Sequence, residues 1–476
     1  MAQNHTQDTA TIHWFRRDLR LSDNRALTAA AERGPVVPVF VLDDEVRGLG
    51  AASKQRLEMS LEALAADLET RGMQLILRRG RATDVLLQLA QEVGAKSVHW
   101  SRAYAPDWVA RDTEVKAALK QAGLSAESFE GTLLFEPWTV QTGQGMPYRV
   151  YTPFWKAVRS RVVDAPLRAP DLKAPSVWPQ SETLSAWGLS KDMRRGAAVV
   201  AAHVQAGEAA AQAKLSTFLE EKVAAYQVAR DFLDRAATSD LSDALTFGEV
   251  SPAQLWHGGH RAMQQGAVGA EHFLKEVVWR EFAWHLLWHF PQLPHANWRD
   301  GWDQFEWSED PDHPHFQAWC RGRTGVAVVD AAMRELYITG KMHNRARMIV
   351  ASYLTKHLRM HWKLGLKWFA ECLIDWDPAS NAMGWQWVAG CGPDAAPYFR
   401  IFNPDTQADK FDPEKTYRRR WFSHKDGEGS ATAQTFFQAM PVSWEASFTR
   451  PQMQPIVSLP EGRARALAAY EAFKTQ

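Results

Sequence analysis

Three segments of this 476-residue chain combine residue types able to do chemistry at spacings that bring them together. Glu276, Trp279 and Arg280 stand at i, i+3 and i+4, so on a helix they share one face. A carboxylate, an indole and a guanidinium so placed can read a flat polar ring by hydrogen bonding and stacking. An amphipathic helix carrying an i,i+4 ion pair would show the same spacing with no such role. In the segment 342–348, Asn344, Arg347 and Met348 fall on one face with Arg345 turned aside. That pattern describes either a polar binding edge or the exposed first turn of an apolar helix. Asp375-Trp376-Asp377-Pro378-Ala379-Ser380-Asn381 sets two carboxylates around a tryptophan before a proline, a helix N-terminus or tight turn. Trp385-Gln386-Trp387 follows.

Other chemistries find less support. Glu281, His285 and His289 stand at i, i+4 and i+8 and could present metal ligands, yet no H-E-x-x-H occurs. Histidines on an apolar helix face more often satisfy core hydrogen bonds. No G-x-S-x-G elbow and no G-x-x-x-x-G-K-[ST] loop is present, which removes the hydrolase and P-loop readings. Gly48-Leu49-Gly50 lacks the third glycine and the strand-to-helix context of a dinucleotide fingerprint. Cys320, Cys372 and Cys391 are far apart and form no C-x-x-C, against a zinc ribbon, a disulfide framework or a four-cysteine cluster.

Two kinds of element must position these residues. Short β-rich runs at 11–15, 36–42, 73–77 and 96–100 alternate with helical patterns at 25–31, 54–70, 83–93 and 113–121. Such alternation predicts a parallel, doubly wound, Rossmann-like sheet, with ligands beyond the carboxyl ends of its strands. From 136 to 213 prolines recur and periodicity weakens, which predicts an irregular connector. Beyond 214 the pattern is helical: 218–232, 252–265, 270–290, 328–339, 344–358, 365–373 and a terminal 460–474. The expected organisation is therefore an α/β domain over 1–135, a connector over 136–213 and a large all-α domain over 214–476.

Composition narrows the class. Lys+Arg and Asp+Glu balance at 55 each, so any nucleic-acid contact requires a local basic groove. An apolar fraction of 46% with 23% charged residues is ordinary globular usage and argues against disorder. The N-terminal stretch has no charged-then-apolar leader pattern and no apolar run reaches membrane-spanning length, so a cytoplasmic location is expected. Of 22 tryptophans, thirteen fall between Trp279 and Trp421, a concentration that any function must explain.

Together with the opening Trp14-Phe15-Arg16-Arg17-Asp18-Leu19-Arg20-Leu21-Ser22-Asp23-Asn24, these segments resemble the DNA photolyase/cryptochrome family. The likeness runs from Thr11 to about Trp421 and is densest over 319–348 and 375–404. The latter includes Gly384-Trp385-Gln386-Trp387 and the run Asp394-Ala395-Ala396-Pro397-Tyr398-Phe399-Arg400-Ile401-Phe402-Asn403-Pro404. The resemblance implies that the helical domain binds FAD, through Tyr226, Thr238, Ser239, Leu241 and Ser242 around the phosphates and ribityl chain. Asn344, Arg347, Asp375, Asp377 and Asn381 would complete the flavin site, with Asn381 facing N5.

It further implies light-dependent repair of UV-damaged DNA: excited reduced FAD gives an electron to a flipped-out cyclobutane pyrimidine dimer, which splits. Glu276, Trp279, Arg280, Asn344, Met348 and Trp387 would receive the dimer. Arg230, Arg345 and further basic residues such as Lys341 and Arg400 would hold flanking phosphates. Trp385, Trp362 and Trp307 match a chain that conducts electrons to photoexcited oxidised flavin. Enzymes acting on (6-4) photoproducts usually carry histidine where this chain has Asn344 and Met348. Sensory cryptochromes usually replace the amide at Asn381. Dimer repair is thus favoured, with a blue-light sensor as the alternative and (6-4) repair behind it. A second, antenna chromophore is expected in the α/β domain, methenyltetrahydrofolate rather than a deazaflavin. Asp107-Trp108 departs from the Asn-Glu pair of well-known folate binders. A monomer without membrane contact is expected.

Overall fold

Apolar, β-branched runs build the first unit. In the computed structural model, β1 (Thr11–Phe15) and β2 (Val36–Leu42) are buried at every residue, as strands covered on both faces must be. With β3 (Ile76–Arg79), β4 (Ser97–Ser101) and β5 (Ser125–Phe129) they form a five-stranded parallel sheet ordered β3-β2-β1-β4-β5. Pro38 lies inside β2 without harm, because pairing with β3 starts only at Val39. The structure describes residues 9–193, 196–394, 398, 400–423, 427–441, 444 and 454–475. Ala395, Ala396, Pro397 and Phe399 of the 394–404 run fall outside these, as do residues 1–8.

Two details of the sheet differ from expectation. β3 begins at Ile76 rather than 73, because Met73 and Leu75 bury themselves in the approach to the strand. β5 carries the polar sequence SAESF with one buried residue, an edge strand with no apolar run to announce it. The connector contains the Tyr151–Val158 helix and then binds along the sheet, with Glu182 N–H on Leu77 O at 2.9 Å and Val36 N–H on Lys173 O at 2.9 Å.

The α/β unit and the helical unit are joined by buried polar contacts. The Ala51–Glu69 helix has Gly50 at its N-cap, with no capping side chain. Glu371, 320 positions downstream, accepts the Ala51 N–H at 3.3 Å, and Ser53 Oγ donates to Leu373 O at 2.9 Å. A Cβ on Gly50 would lie 2.0 Å from Ala370 O, so only glycine admits this approach. From the same helix Arg56, fully buried, donates to Asp243 at 3.0 Å and to both oxygens of Glu249 at 2.9 and 2.5 Å.

In the helical unit the Ala270–His289 helix packs against the Pro378–Ala389 helix, which also meets Asn344–Ser352 and Trp362–Cys372. Two expected helices are interrupted. The 218–232 stretch breaks into a π turn (Phe218–Lys222), a 3-10 turn (Val223–Ala225) and a short helix (Tyr226–Ala229), which turns Tyr226 into the core. The 344–358 stretch ends its α-helix at Ser352 and continues as a π turn to His357. Such wide turns often mark functional sites. The largest apolar cluster of this unit contains Trp302, Trp307, Trp319, Trp362, Trp385 and Trp421. No helix among the described residues is long and apolar enough to cross a membrane.

Candidate functional site

The Asp375–Asn381 segment is the hinge of the site. Asp377 caps the Pro378–Ala389 helix, its Oδ1 accepting Ser380 N–H at 2.6 Å, and Pro378 occupies the first helical position. Its other oxygen accepts the Trp284 indole N–H at 2.9 Å, tying this helix to Ala270–His289. One turn on, the buried Asn381 amide donates to Asp377 O at 3.0 Å. Arg347 reaches Asp375 Oδ2 at 2.7 Å and also donates to Met342 O at 2.9 Å. Asp375 Oδ1 is buried with no hydrogen-bond partner among the described residues. A buried carboxylate oxygen left in that state is costly unless a further donor meets it.

The other residues expected at a flavin differ in burial. Tyr226 and Leu241 are buried, Thr238 and Ser239 are partly buried, and Ser242 is exposed where the Ser242–Phe247 helix opens with no side-chain cap. Lys341 bonds Asp240 at 2.6 Å and stands 3.8 Å from Asp243. Burial opposes the Asp243 charge, but Lys341, Arg56 and Lys214 outweigh it and hold this carboxyl below its usual range. The orphaned Asp375 oxygen, the Arg347 pair, the open helix start and the hydroxyls form a donor and acceptor set that fits a large polar cofactor.

The Glu276, Trp279 and Arg280 face is divided among different partners. Glu276 pairs with Arg230 and lies 3.6 Å from His272 Nε2. Trp279 is partly buried and stacks on Tyr151, with ring centroids 3.6 Å apart and planes at 7°. Arg280 turns toward the α/β unit, donating to Thr132 O at 3.0 Å and to Glu281 at 3.1 Å. Its neighbours there pull it away from Glu276, so one helical face serves two places. Asn344 is exposed in the first turn of its helix, while Met348 and Trp387 lean, partly buried, on the large core. Arg345 bonds Asp231 at 2.7 Å and its guanidinium lies 4.5 Å from the Phe411 ring centre. Both arginines expected at phosphates are thus already held by carboxylates. Arg400 has an exposed side chain, and its carbonyl accepts from Lys356 Nζ at 2.8 Å.

The tryptophans of the core are fixed by specific contacts. Trp385 packs 4.9 Å from Phe369 and 6.1 Å from Trp319. Its indole lies flush on the backbone at Gly365, where a Cβ would come within 2.1 Å of the ring. Trp362 donates to Asn297 Oδ1 at 2.8 Å, and Trp307 to Thr355 O at 2.9 Å. The His361 ring contacts both, at 5.4 Å from Trp362 and 5.2 Å from Trp307. Tyr151, Trp319 and His361 escaped the sequence reading; each touches the site through a tertiary contact that no local spacing reveals.

The Glu281, His285 and His289 series staples a loop. Glu281 accepts Leu134 and Phe135 N–H groups at 2.8 and 3.3 Å. His285 Nε2 accepts Tyr148 N–H at 3.1 Å, and His289 Nε2 meets Pro137 O at 3.2 Å. Burial raises the Glu281 carboxyl to about 7 and lowers His285 to about 4. Among the described residues no acidic, histidine and cysteine group could hold a metal ion.

A cleft opens between the units beyond the carboxyl ends of β1 and β4, where the sheet order reverses. Its lining includes Arg16, Arg17, Arg102, Trp108, Arg280 and Asp377. The Arg17 guanidinium lies 4.9 Å from the Trp108 ring centre.

Known proteins share this arrangement. Residues 11–173 match the DNA photolyase family model, and residues 273–472 match the FAD binding domain of DNA photolyase. The chain is 46% identical to a deoxyribodipyrimidine photo-lyase of Agrobacterium fabrum, over 97% of this chain and 98% of that protein. A class III photolyase structure from Agrobacterium tumefaciens superposes with a TM-score of 0.90 at 44% identity, covering 100% of both chains. An archaeal photolyase from Sulfolobus tokodaii, solved with two FAD molecules and described as implying a novel light-harvesting cofactor, has a TM-score of 0.78 at 26% identity. It covers 98% of this chain and 100% of its own. With likeness of this extent in sequence, domain order and fold, the chain belongs to the DNA photolyase/cryptochrome family.

Proposed function

We infer that this protein is a light-dependent DNA-repair lyase that binds FAD in its helical unit and splits cyclobutane pyrimidine dimers in UV-damaged DNA. The observation that carries the flavin assignment is the buried, unpartnered Asp375 oxygen beside the Arg347 pair, at the start of the helix bearing Asn381 and Trp385. When bound, reduced FAD supplies the electron on excitation and takes it back after the dimer opens; the protein supplies orientation and electrostatics.

The family resemblance supplies the residue roles of this reading. Arg347 and Asp375 would hold the flavin ring with Asp377, and the neutral Asn381 amide would tune its electron-rich reduced form. Tyr226, Thr238, Ser239, Leu241, Ser242 and Asn344 hold the remainder of the cofactor. Glu276, once Arg230 has left it, bonds a pyrimidine edge; Trp279 and Trp387 wall the flipped-out dimer, with Asn344 and Met348 around it, while Arg280 stays with Thr132 and Glu281 at the α/β unit. Arg230 and Arg345 exchange their carboxylate partners for DNA phosphates. Trp385, Trp362 and Trp307 carry electrons inward when the flavin is oxidised.

The cleft at the ends of β1 and β4 suits an antenna chromophore. Arginines beside an indole suit a flat ligand carrying negative charge, and of the two antenna chromophores considered we favour methenyltetrahydrofolate over a deazaflavin. Trp108 would stack on it where the familiar Asn-Glu pair is missing. Chromophore released from purified protein is identified by its absorption spectrum.

The repair assay separates this reading from a blue-light sensor. Photoreduced protein is mixed with an oligonucleotide containing one thymine dimer and illuminated with blue light. Dimers disappear on the repair reading; persistence of dimers with the flavin fully reduced rejects it.

A further inference from the structure

We propose that Tyr151, delivered by the connector, is a positioning residue that fixes the Trp279 indole as a wall for the extruded dimer and thereby sets affinity for damaged DNA. The inference rests on the reading that Trp279 contacts the lesion. Tyr151 starts the Tyr151–Val158 helix and is 8% exposed, so its ring is a built part of the site. Its plane lies within 7° of the Trp279 plane at a centroid distance of 3.6 Å. Unconstrained aromatic pairs prefer offset or edge-on geometry with centroids roughly 4.5–7 Å apart. Full overlap therefore needs a restraint, and the structure has one: Tyr151 Oη donates to Lys275 O at 2.7 Å. Lys275 lies one helical turn before Trp279, so the phenol is anchored to the same stretch of helix that carries the indole. Phe282 adds an edge contact to each ring, at 5.9 Å from both Tyr151 and Trp279.

The consequence is asymmetric. Tyr151 covers one face of the indole, while Trp279 as a whole stays partly exposed. A rigid platform binds a base without first losing side-chain freedom, which is how preorganisation raises affinity. Neither ring carries a charge that could meet a phosphate, so on this proposal undamaged DNA gains nothing from the pair. Tyr151 thus separates lesion recognition from general DNA binding.

The test uses the FAD-loaded full chain with Tyr151→Phe, Tyr151→Leu, Trp279→Leu and the Tyr151→Leu/Trp279→Leu double variant. Affinities are measured for one oligonucleotide with and without a thymine dimer. Tyr151→Leu is expected to weaken dimer binding about tenfold, and Tyr151→Phe about two- to threefold, at unchanged affinity for undamaged DNA. The flavin spectrum and the splitting yield at saturating DNA stay at their starting values. In the Trp279→Leu background, Tyr151→Leu adds nothing, because the residue acts through the indole. Equal loss on damaged and undamaged DNA, a fall in splitting yield at saturation, or additive effects in the double variant would overturn the proposal. If Trp279→Leu itself leaves dimer affinity unchanged, the lesion-wall reading falls and this inference with it; if only Tyr151→Leu is silent, the inference alone fails.

Discussion

Replacing Arg56 with Met tests how the two units are held together. The guanidinium and its partners Asp243 and Glu249 have side-chain exposures of 0%, 0% and 1%. It makes three bonds to the two carboxylates and a fourth to Ser60 Oγ at 2.5 Å. Met keeps most of the aliphatic volume, so the perturbation is electrostatic: two buried acids lose their counter-charge. Lys341, 3.8 Å from Asp243, compensates only one of them. Breaking a buried pair from one side costs about 3–5 kcal/mol. At roughly 2.1 cal/mol/K per residue, the unfolding entropy of this chain is about 1 kcal/mol/K, so the shift in Tm is about 3–5 °C. The stranded acids are relieved by protonation, so the folded variant takes up protons more readily than its unfolded chain. Its deficit is therefore largest at neutral pH and shrinks as pH falls toward 5. Thermal unfolding of wild type and variant at matched scan rate, at pH 7.5 and 5.5, reads both effects. A deficit below about 1 kcal/mol at pH 7.5, or one that grows on acidification, refutes the argument. Adding Asp243→Asn and Glu249→Gln to the variant should recover much of the loss.

Two further outcomes are expected. Trp385→Phe slows flavin photoreduction yet spares repair by chemically reduced enzyme, and unchanged photoreduction removes Trp385 from the electron path. His13, His285, His357 and His361 are each pushed down to about 4, first by burial. Their unfolded forms near 6.5 bind protons first, so stability falls as pH drops from 6.5 to 4, by up to about 3 kcal/mol for the fully buried His13. Glu281 and Glu335, raised to about 7 by burial, act in the opposite sense below pH 7, but the histidines outnumber them. Urea midpoints at pH 7, 5.5 and 4.5 should fall in that order, and a flat series contradicts the reasoning.

The sequence made the sheet legible where apolar runs were continuous. β1 and β2 match their expected bounds, while β5 was invisible because a half-buried edge strand needs no apolar run. Helical periodicity read Pro252–Gln264 and Ala270–His289 closely but passed over the wide turns at Phe218–Lys222 and Tyr353–His357. Nothing local distinguishes those residues from ordinary helix; the surrounding core selects the wider turn. The same limit applies at the site. Arg347 and Asp375 meet at 2.7 Å across two motifs whose polarity was visible in advance. The split of Arg280 from Glu276 follows from Thr132 O and Glu281 on one side and Arg230 on the other, partners that no spacing names. Tyr151 reaches Trp279 from the connector, in a stretch where weak periodicity had concealed any purpose.

The borrowed cap at Gly50 also has a history in time. A ribosome adding roughly 5–20 residues per second makes Ala51 about 15–60 s before Glu371, 320 positions later, emerges to accept its N–H. Through that interval the Ala51–Glu69 helix has an unfinished end, and for the first part of it, until Asp243 and Glu249 are made, Arg56 also lacks both carboxylates. The half of the molecule that is synthesised first is therefore among the last to be completed, and nascent chains halted before Glu371 should be cleaved by protease near Gly50 while the strands of the sheet resist.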